Sequence, residues 1–239
     1  MTDNGDARAR AAEKLIVALD FPSVDAAQKM IAALPDELRF LKIGLELIYA
    51  GGLPLARTLA ENGRQIFLDA KLSDIPNTVE RATASAARLG ARFITVHGAD
   101  RKTLDAAVRG RGNSKMQLLA ITVLTSIDAN DLREQGISMS PAELAFTRAR
   151  MAKDAGVDGV VASAQEAKAI RAELGPDFLI VTPGIRPAGV ATGDQARTVT
   201  PAEAMDAGAD YLVVGRPITA APDPNEAARA IIAEIERAL

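Results

Sequence analysis

The stretch IFLDAKLSDIPNTVERATASAARLGARFITVHG, residues 66–98, decides the fold. It opens with a short apolar run, continues through an Ala-rich segment with helical spacing from Thr78 to Leu89, and reaches a second apolar run after Gly90. Neither run alternates apolar and polar residues strictly, which is typical of strands buried on both faces of a parallel sheet. A glycine after a helical segment suits a helix C-terminus. The stretch therefore predicts two parallel strands joined by a helix.

The same pattern recurs along all 239 residues. Eight apolar runs of about five residues end near Asp20, Lys42, Lys71, His97, Thr122, Ser163, Pro183 and Arg216. Further helical segments lie between them, for example Val24 to Leu34, Leu53 to Asn62 and Pro141 to Ala155, and glycines 63, 156, 175 and 208 close several units. Eight strand–helix units predict an α/β protein, a closed (β/α)8 TIM barrel. The alternative, an open doubly wound sheet, usually carries an early G-x-G-x-x-G turn, and residues 19–23, LDFPS, contain none.

Chain length favours a single domain over residues 1–239, because α/β barrels often run to about 200–250 residues. We expect a flexible N-terminal extension at residues 1–13, where the sequence is polar. A candidate lid loop covers residues 124–140, LTSIDANDLREQGISMS. This long polar loop leaves the carboxyl end of the fifth strand, which is the functional face of such a barrel.

Composition excludes several classes of function. The chain has no cysteine and one histidine, so thiolate catalysis, Cys-ligated zinc and a multi-His metal site are unavailable. A net charge of −3 argues against a broad nucleic-acid footprint. No apolar run approaches the roughly 18 residues that span a membrane, and the polar N-terminus lacks the apolar core of a signal peptide. The expectation is a cytoplasmic protein without a membrane or nucleic-acid partner.

Charged or titratable residues stand at the carboxyl ends of the first four predicted strands: Asp20, Lys42, Asp69, Lys71 and His97. Strand ends of a barrel converge on one mouth, where a charge is costly unless it is paired or used. Asp69 and Lys71 are two apart and share a strand face. With Lys42 and the loop residue Asp74, they form a set of two cations and two anions. The bland interpretation is a structural salt bridge; the functional one is an array whose ammonium stabilises a carbanion and then donates a proton.

A second constellation follows the last two strands. VTPGIRP places Gly184 and Arg186 after strand seven, and YLVVGRPI places Gly215 and Arg216 after strand eight. Barrel loops at these positions frequently bind phosphate through backbone N–H groups, and arginine grips phosphate oxygens bidentately. A phosphorylated ligand is therefore expected.

Five polar residues remain open to two interpretations. His97 is interpreted as a satisfied residue of the barrel rim rather than a ligand-binding group. Ser163 is expected either to cap the next helix or to touch ligand. Thr125 and Ser126 open the long loop and have the reach to contact a heterocycle from above. Gln195 lies in a polar loop, where a solvated side chain is the simple interpretation.

Several of these segments, in order along essentially the whole chain, resemble the orotidine 5′-monophosphate decarboxylase family in its bacterial form. They are LIVALD, FLKIG, LDAKLSDIPNT, TVHG, LTS, SAQE, TPGIRP and VGRPIT. LDAKLSDIPNT fits the family's specific signature D-x-K-x-x-D-I-x-x-T. The resemblance implies a (β/α)8 barrel that converts orotidine 5′-monophosphate into UMP and carbon dioxide in de novo pyrimidine biosynthesis. It also implies that no metal and no organic cofactor is used.

The resemblance assigns roles to the charged residues. Lys71 would protonate C6 of the pyrimidine after carbon dioxide leaves, and Asp69 would lie against the substrate carboxylate. Lys42 and Asp74 would complete the charged array. Asp20, together with Lys42, would bind the ribose hydroxyls.

The remaining implied roles concern the base, the phosphate and a second subunit. Thr125 or Ser126 would contact the pyrimidine, Pro183 would line its pocket, and Arg186, Gln195, Gly215 and Arg216 would hold the phosphate. Ile75 and Thr78, within the signature, would also contact substrate. The resemblance implies a homodimer in which Asp74 and Thr78 reach into the partner's site.

Two rivals remain at this point. A sugar-phosphate decarboxylase or aldolase of the same superfamily resembles this D-x-K strand, but it needs Mg²⁺ and carries Glu at the position of Lys42. A carboxylate there ligates a hard cation, whereas an ammonium repels one. The second rival is a non-catalytic barrel that binds phosphate or nucleotide without turnover.

Overall fold

The computed structural model describes residues 3–187 and 199–239, and it contains one closed barrel of eight parallel strands. The strands pair in chain order, and β8 closes the ring on β1. They are β1 Leu15–Ala18, β2 Phe40–Ile43, β3 Gln65–Leu72, β4 Phe93–His97, β5 Gln117–Ile121, β6 Gly159–Val161, β7 Leu179–Thr182 and β8 Tyr211–Val214. The predicted single-domain (β/α)8 barrel is confirmed.

Helices connect the strands along the outside of the barrel. In the described ranges they are α1 Asp3–Lys14, α2 Val24–Ala33, α3 Leu45–Leu47, α4 Leu53–Glu61, α5 Pro76–Arg88, α6 Arg101–Arg111, α7 Ala129–Glu134, α8 Pro141–Asp154, α9 Ala164–Leu174, α10 Pro201–Asp206, α11 Arg216–Thr219 and α12 Pro224–Arg237. A wider π-type turn, Ile48–Gly52, joins α3 to α4. None of the helices described is long and apolar enough to cross a lipid bilayer.

Alternate residues of each strand face the barrel interior, where a small cluster fills the middle. Its fully or nearly fully buried members are Ile16, Ala18, Phe40, Phe67, Phe93, Leu119, Val181 and Val213. The intervening strand residues, such as Val17 and Leu41, pack beneath the helices in a second and larger cluster. Both faces of the strands are therefore buried, which explains why their sequences do not alternate strictly.

An arginine and three aromatic rings fill the amino-terminal end of the barrel. The guanidinium of Arg92 lies 5.3 Å from the ring centroids of Phe40, Phe93 and Tyr211. It also donates to Tyr211 Oη at 2.5 Å and to the side-chain oxygen of Gln65. Each of the three rings belongs to the first residue of its strand, β2, β4 or β8. Cation–π contacts with a half-buried guanidinium favour this arrangement and plug the end opposite the carboxyl ends of the strands.

The segment expected to be a flexible extension, residues 1–13, is helical where the structure describes it, and its flexibility stays a prediction. The described residues form α1, whose Ala11 and Ala12 are buried and which packs against α12. Arg8 Nη2 lies 2.9 Å from Glu37 Oε1. Alanine and arginine are good helix formers, and small residues on one face let two helices approach closely. The overall polarity of the segment hid that face.

The candidate lid segment 124–140 is partly helical rather than an irregular loop. Asp128 begins α7 with a capping box, its carboxylate accepting from the N–H groups of Asn130 and Asp131. Leu132 of α7 is buried with Val123 and with Leu144 of α8. The segment is thus anchored by its own small apolar cluster, and its role as a lid stays a prediction.

Candidate active site

A cavity of about 440 Å³ opens at the carboxyl ends of the strands. Nine of the predicted site residues line it: Asp20, Lys42, Asp69, Lys71, Thr125, Pro183, Arg186, Gly215 and Arg216. Its apolar walls include Phe67, Ile121 and Val213. The cavity is therefore a half-apolar pocket with a few convergent charged groups, as small-molecule sites usually are.

Four of the charged side chains form a continuous row across β1, β2 and β3. Lys42 Nζ lies 3.1 Å from Asp20 Oδ1 and 3.3 Å from Asp69 Oδ2. Lys71 Nζ lies 2.7 Å from the same Asp69 Oδ2. The row therefore reads Asp20, Lys42, Asp69, Lys71, with cations and anions alternating. We call these four residues the charged row.

The charged row keeps its two inner members ionised despite burial. Burial alone would lower the pKa of the Lys42 ammonium, but the charges of Asp69 and Asp20 outweigh burial and raise that pKa. Burial would likewise raise the pKa of the Asp69 carboxyl, but the charges of Lys42 and Lys71 hold that pKa below its ordinary value. Both groups are charged at neutral pH, because each buried charge faces an opposite one.

Thr95 on β4 holds the Asp69 carboxylate from the other side. The Thr95 hydroxyl donates to Asp69 Oδ1 at 2.9 Å, so the two oxygens of Asp69 have separate partners. Oδ1 takes the hydroxyl and Oδ2 takes both ammonium groups. Sequence reasoning missed Thr95, because a threonine inside an apolar strand looks like an ordinary β former. Its place two residues before His97, on the same strand face, was the available signal.

The backbone of Lys71 departs from the extended conformation. Its φ of 47° is the only positive value at a non-glycine residue in the described ranges. The β3–β4 ladder pairs Leu68 with Ile94 and then jumps to Leu72 with Val96, which marks a bulge. Such a backbone conformation costs about 1–3 kcal/mol and persists only where its surroundings enforce it. The two-residue spacing predicted that Asp69 and Lys71 meet, but it did not predict this bulge.

Gly44, just after β2, makes room for the Asp20–Lys42 ion pair. A Cβ at this position would lie 2.7 Å from Asp20 Oδ1 and 3.0 Å from Lys42 Nζ. A side chain here would press against both partners of the contact. The glycine in FLKIG therefore belongs to the site, and sequence reasoning gave it no role.

The loops after β7 and β8 contribute the opposite side of the cavity, since β7 lies across the eight-stranded ring from β3. Pro183, Gly184 and Arg186 follow β7, and Gly215 and Arg216 follow β8. Gly184 has a φ of 80°, which favours glycine. The Arg186 side chain is buried and donates to the carbonyl of Ile185 at 2.9 Å. Two guanidinium groups thus border one end of a pocket whose other end carries the charged row.

Two of the open interpretations receive a structural answer. Ser163 lines the cavity and directly precedes α9, and its hydroxyl donates to the Glu166 carboxylate and accepts no hydrogen bond from a helix N–H. His97 is half-buried, and burial, aided by the charges of Lys71 and Arg148, lowers the pKa of its imidazole. A neutral imidazole at pH 7 agrees with a rim residue rather than a proton donor.

Four of the predicted site residues that the structure describes do not line this cavity. Asp74, Ile75 and Thr78 are exposed at the start of α5, and Asp74 Oδ1 accepts from the Ile75 N–H at 2.7 Å. Ile75 is 68% exposed, which is unusual for an isoleucine. Ser126 is next to the lining residue Thr125 but is not itself a lining residue. Gln195 lies outside the described residues.

The fold and the site together define the class of this protein. It is an enzyme built on a (β/α)8 barrel, with buried ionised groups and a cavity at the carboxyl ends of the strands, where such barrels carry their active sites.

Comparison with known proteins narrows the class to one family. Residues 13–231 match the model of the orotidine 5′-phosphate decarboxylase / HUMPS family. The chain is 56% identical to the orotidine 5′-phosphate decarboxylase of Rhodopseudomonas palustris (strain BisA53) over 235 residues, 98% of each chain. It is 57% identical over 229 residues to the enzyme of the same name from Methylobacterium sp. (strain 4-46), covering 95% of this chain and 97% of that one.

A solved structure agrees with both matches. The crystal structure of orotidine 5′-phosphate decarboxylase from Lactobacillus acidophilus superposes with a TM-score of 0.82 at 41% identity, covering 92% of this chain and 98% of that one. The chain therefore belongs to the orotidine 5′-phosphate decarboxylase / HUMPS family and is a decarboxylase. The family resemblance stated from the sequence is confirmed.

Proposed function

We propose that this protein converts orotidine 5′-monophosphate into UMP and carbon dioxide in de novo pyrimidine biosynthesis, using neither a metal nor an organic cofactor. The observation that carries the proposal is the charged row. Its lysines and aspartates alternate at the mouth of a barrel whose relatives are named for this reaction. Breaking the bond between C6 and the carboxylate leaves an electron pair on a ring carbon with no adjacent electron sink. Preorganised charge is the general means of stabilising such a pair.

Lys71 is the proposed proton donor. When carbon dioxide leaves, the electron pair stays at C6, and the Lys71 ammonium supplies the proton that makes the C–H bond of UMP. Support comes from its position: the ammonium lines the cavity, is part-exposed, and is held by Asp69 at 2.7 Å. Asp69 is proposed to face the substrate carboxylate. Asp20 and Lys42 are proposed to bind the ribose hydroxyls.

Arg186, Gly215 and Arg216 have the proposed role of holding the 5′-phosphate, together with Gln195, which lies between β7 and α10 in the sequence. Support comes from the two guanidinium groups that border the end of the cavity opposite β3. Phosphate is remote from the bond that breaks, so its binding energy is available to order the loops around the site. Pro183 and Thr125, which line the same cavity, are proposed to contact the pyrimidine, with Ser126 as the alternative to Thr125.

A metal-independent mechanism is supported by the cations already present in the site. Lys42 and Lys71 place two ammonium groups within 3.3 Å of Asp69, the carboxylate that both of them contact in the charged row. A Mg²⁺ ion at Asp69 would have to displace or face both of them. Full turnover in the presence of EDTA is the expected result. Loss of turnover that added Mg²⁺ restores would instead favour the sugar-phosphate branch of the superfamily.

We infer that the active form is a homodimer in which Asp74, Ile75 and Thr78 serve the partner's site. These residues are exposed and lie just after the charged row, yet they do not line the cavity of their own chain. Mixing K71A chains with D74A chains tests the idea, because a mixed dimer then holds one intact site. Random pairing makes about half of the dimers mixed, so about a quarter of wild-type turnover should return. No gain above the separate variants would contradict the shared site.

The reaction itself is tested by adding orotidine 5′-monophosphate to the purified protein and following the loss of its absorbance. We expect turnover by the wild type and none above background by K71A. A non-catalytic nucleotide-binding barrel would bind the nucleotide without any absorbance change. Equilibrium binding of UMP, measured on the same sample, separates an inactive binder from a protein that does not recognise the nucleotide.

A further inference from the structure

Thr95 contacts both Lys71, whose backbone is left-handed, and Asp69, which pairs with the Lys71 ammonium. Its hydroxyl accepts a hydrogen bond from the Lys71 N–H at 2.9 Å and donates one to Asp69 Oδ1 at 2.9 Å. The residue is fully buried, on the interior face of β4. One hydroxyl therefore ties the backbone of the proposed proton donor to the carboxylate that pairs with it.

The hydrogen bond to Lys71 replaces part of the strand ladder. Between Leu68 and Leu72 three residues of β3 stand opposite a single residue of β4, Thr95, since the ladder resumes at Val96. A regular parallel ladder would give the Lys71 N–H a backbone carbonyl. Here the N–H goes to the threonine side chain, and Lys71 takes its φ of 47° at that same point. A strained conformation of this kind lasts only where a specific contact enforces it.

The hydrogen bond from Thr95 to Asp69 determines which carboxylate oxygen is left to contact the two lysine ammonium groups. Thr95 has one proton to donate, and Asp69 Oδ1 takes it. Oδ2 is left to Lys42 at 3.3 Å and to Lys71 at 2.7 Å. The carboxylate is thus fixed in rotation as well as in position, and both ammonium groups converge on one atom.

From these contacts we propose that Thr95 is a positioning residue, which acts through Lys71 and Asp69 to aim the Lys71 ammonium into the cavity. The inference rests on the proposed function for its kinetic consequences, whereas its structural consequence is independent of that function. Thr95 does not line the cavity, so it has no direct contact to offer the substrate.

Three variants separate the hydroxyl from the shape of the side chain. T95V keeps the shape and removes both hydrogen bonds, T95A removes the hydroxyl and the volume, and T95S keeps the hydroxyl. We expect kcat to fall about 10- to 100-fold in T95V and T95A, by analogy with the loss when a hydrogen bond that orients a metal ligand is removed. T95S should stay within a few-fold of wild type. KM should change little, because the phosphate and ribose contacts are untouched.

T182V is the matched control. Thr182 is also a fully buried barrel threonine, and its hydroxyl has no hydrogen-bond partner among the residues that the structure describes. Removing it should leave kcat and KM unchanged. All rates are normalised to the folded fraction measured by circular dichroism, so a loss of stability alone does not count as a loss of kcat. If T95V does not fold, the T95A and T95S pair carries the same comparison.

The structural readout needs no activity. In a crystal structure of T95V or T95A, Lys71 should leave the left-handed region or its Nζ should move away from Asp69 Oδ2. An unchanged Lys71 backbone and an unchanged ion pair would overturn the proposal, as would kcat within twofold of wild type in T95V and T95A, or an equal loss in T95S. If the wild type itself fails to decarboxylate, the proposed function fails, and the crystal structure still decides the role of Thr95.

Discussion

Asp69 and Lys71 form a 2.7 Å ion pair although the strand that carries them is not regular between them. Lys71 adopts a left-handed backbone conformation, and its N–H is bound by a threonine side chain from the next strand. The pair is therefore a property of two strands, and its geometry is fixed before any ligand arrives. Such preorganisation is what electrostatic catalysis in a desolvated site requires.

K71A should abolish turnover while leaving the fold intact. The ammonium is part-exposed and contributes no core packing, so unfolding should remain cooperative with a similar midpoint. General acid catalysis contributes about 10²- to 10⁴-fold, so kcat should fall by at least that range. The absorbance assay checks the loss of turnover, and thermal unfolding checks that the fold is intact. K102A, at an exposed lysine of α6, is the control; wild-type-like turnover by K71A would refute the assigned role.

R216A should weaken the binding of phosphorylated ligands by about 1.5–3 kcal/mol, the usual size of a charge-assisted hydrogen bond. The comparison is between UMP and the unphosphorylated nucleoside uridine, each titrated calorimetrically. Uridine binding should hardly change. R150A is a suitable control, because Arg150 is exposed on α8 and pairs with Glu173 at 3.4 Å, away from the cavity. An equal loss for both ligands would contradict a phosphate contact.

G44A should loosen the Asp20–Lys42 contact. The new methyl group would lie 2.7 Å from Asp20 Oδ1, and the half-exposed Asp20 side chain is free to rotate away. Turning Asp20 away removes its proposed charge-assisted contact with ribose, a loss of about 1.5–3 kcal/mol, so KM for the nucleotide should rise roughly tenfold or more. A double-mutant cycle with D20A provides the check, since the glycine change should cost much less once Asp20 is absent. Additive costs would mean that Gly44 acts elsewhere.

The charged row should make the free energy of unfolding depend on pH at both extremes. The lysine charges hold the pKa of Asp69 below 3.8, so its stabilisation is complete above that value and is lost as pH falls through the lowered pKa. The neighbouring carboxylates raise the pKa of Lys42 above 10.5, so its stabilisation is present below that value and is lost as pH rises through the raised pKa. Urea unfolding at several pH values measures the free energy of unfolding on both sides of neutrality, which we call the acid limb and the alkaline limb.

D69N should flatten the acid limb, because the amide does not titrate. The difference should be on the order of 1.4 kcal/mol for each unit by which the pKa of Asp69 differs between folded and unfolded chains. D177N, which changes an exposed aspartate before β7, should leave the acid limb as in wild type. Identical acid limbs for wild type and D69N would show that Asp69 gains no net stabilisation from the lysines.

The sequence contained most of the fold, for a physical reason. Strands buried on both faces read as short apolar runs, and helix ends marked by glycine separate them, as at Gly90 and Gly156. Both signals are local in sequence, so the eight strand–helix units could be counted from the sequence alone. The helix α1 escaped because its apolar face consists of alanines such as Ala11 and Ala12, which weigh little among charged neighbours.

The site was predictable in membership but not in its internal geometry. Spacing placed Asp69 and Lys71 together, and strand order brought Lys42 beside them. The second anion of the row within one chain is Asp20 rather than Asp74, which is exposed. Lysine has no intrinsic preference for a left-handed backbone, so nothing local announces the bulge at Lys71. Its cause, Thr95, lies on another strand, beyond the reach of a local pattern.

The arginine and aromatic plug at the amino-terminal end of the barrel limits the routes by which the products of the proposed reaction can leave. Arg92 and the rings of Phe40, Phe93 and Tyr211 leave the barrel blind at that end. Carbon dioxide released beside Lys71 would then leave through the opening at the carboxyl ends of the strands, where the nucleotide also enters. Carbon dioxide is small and uncharged, whereas UMP would be held by the proposed phosphate contacts, so we expect the gas to leave first and the nucleotide second.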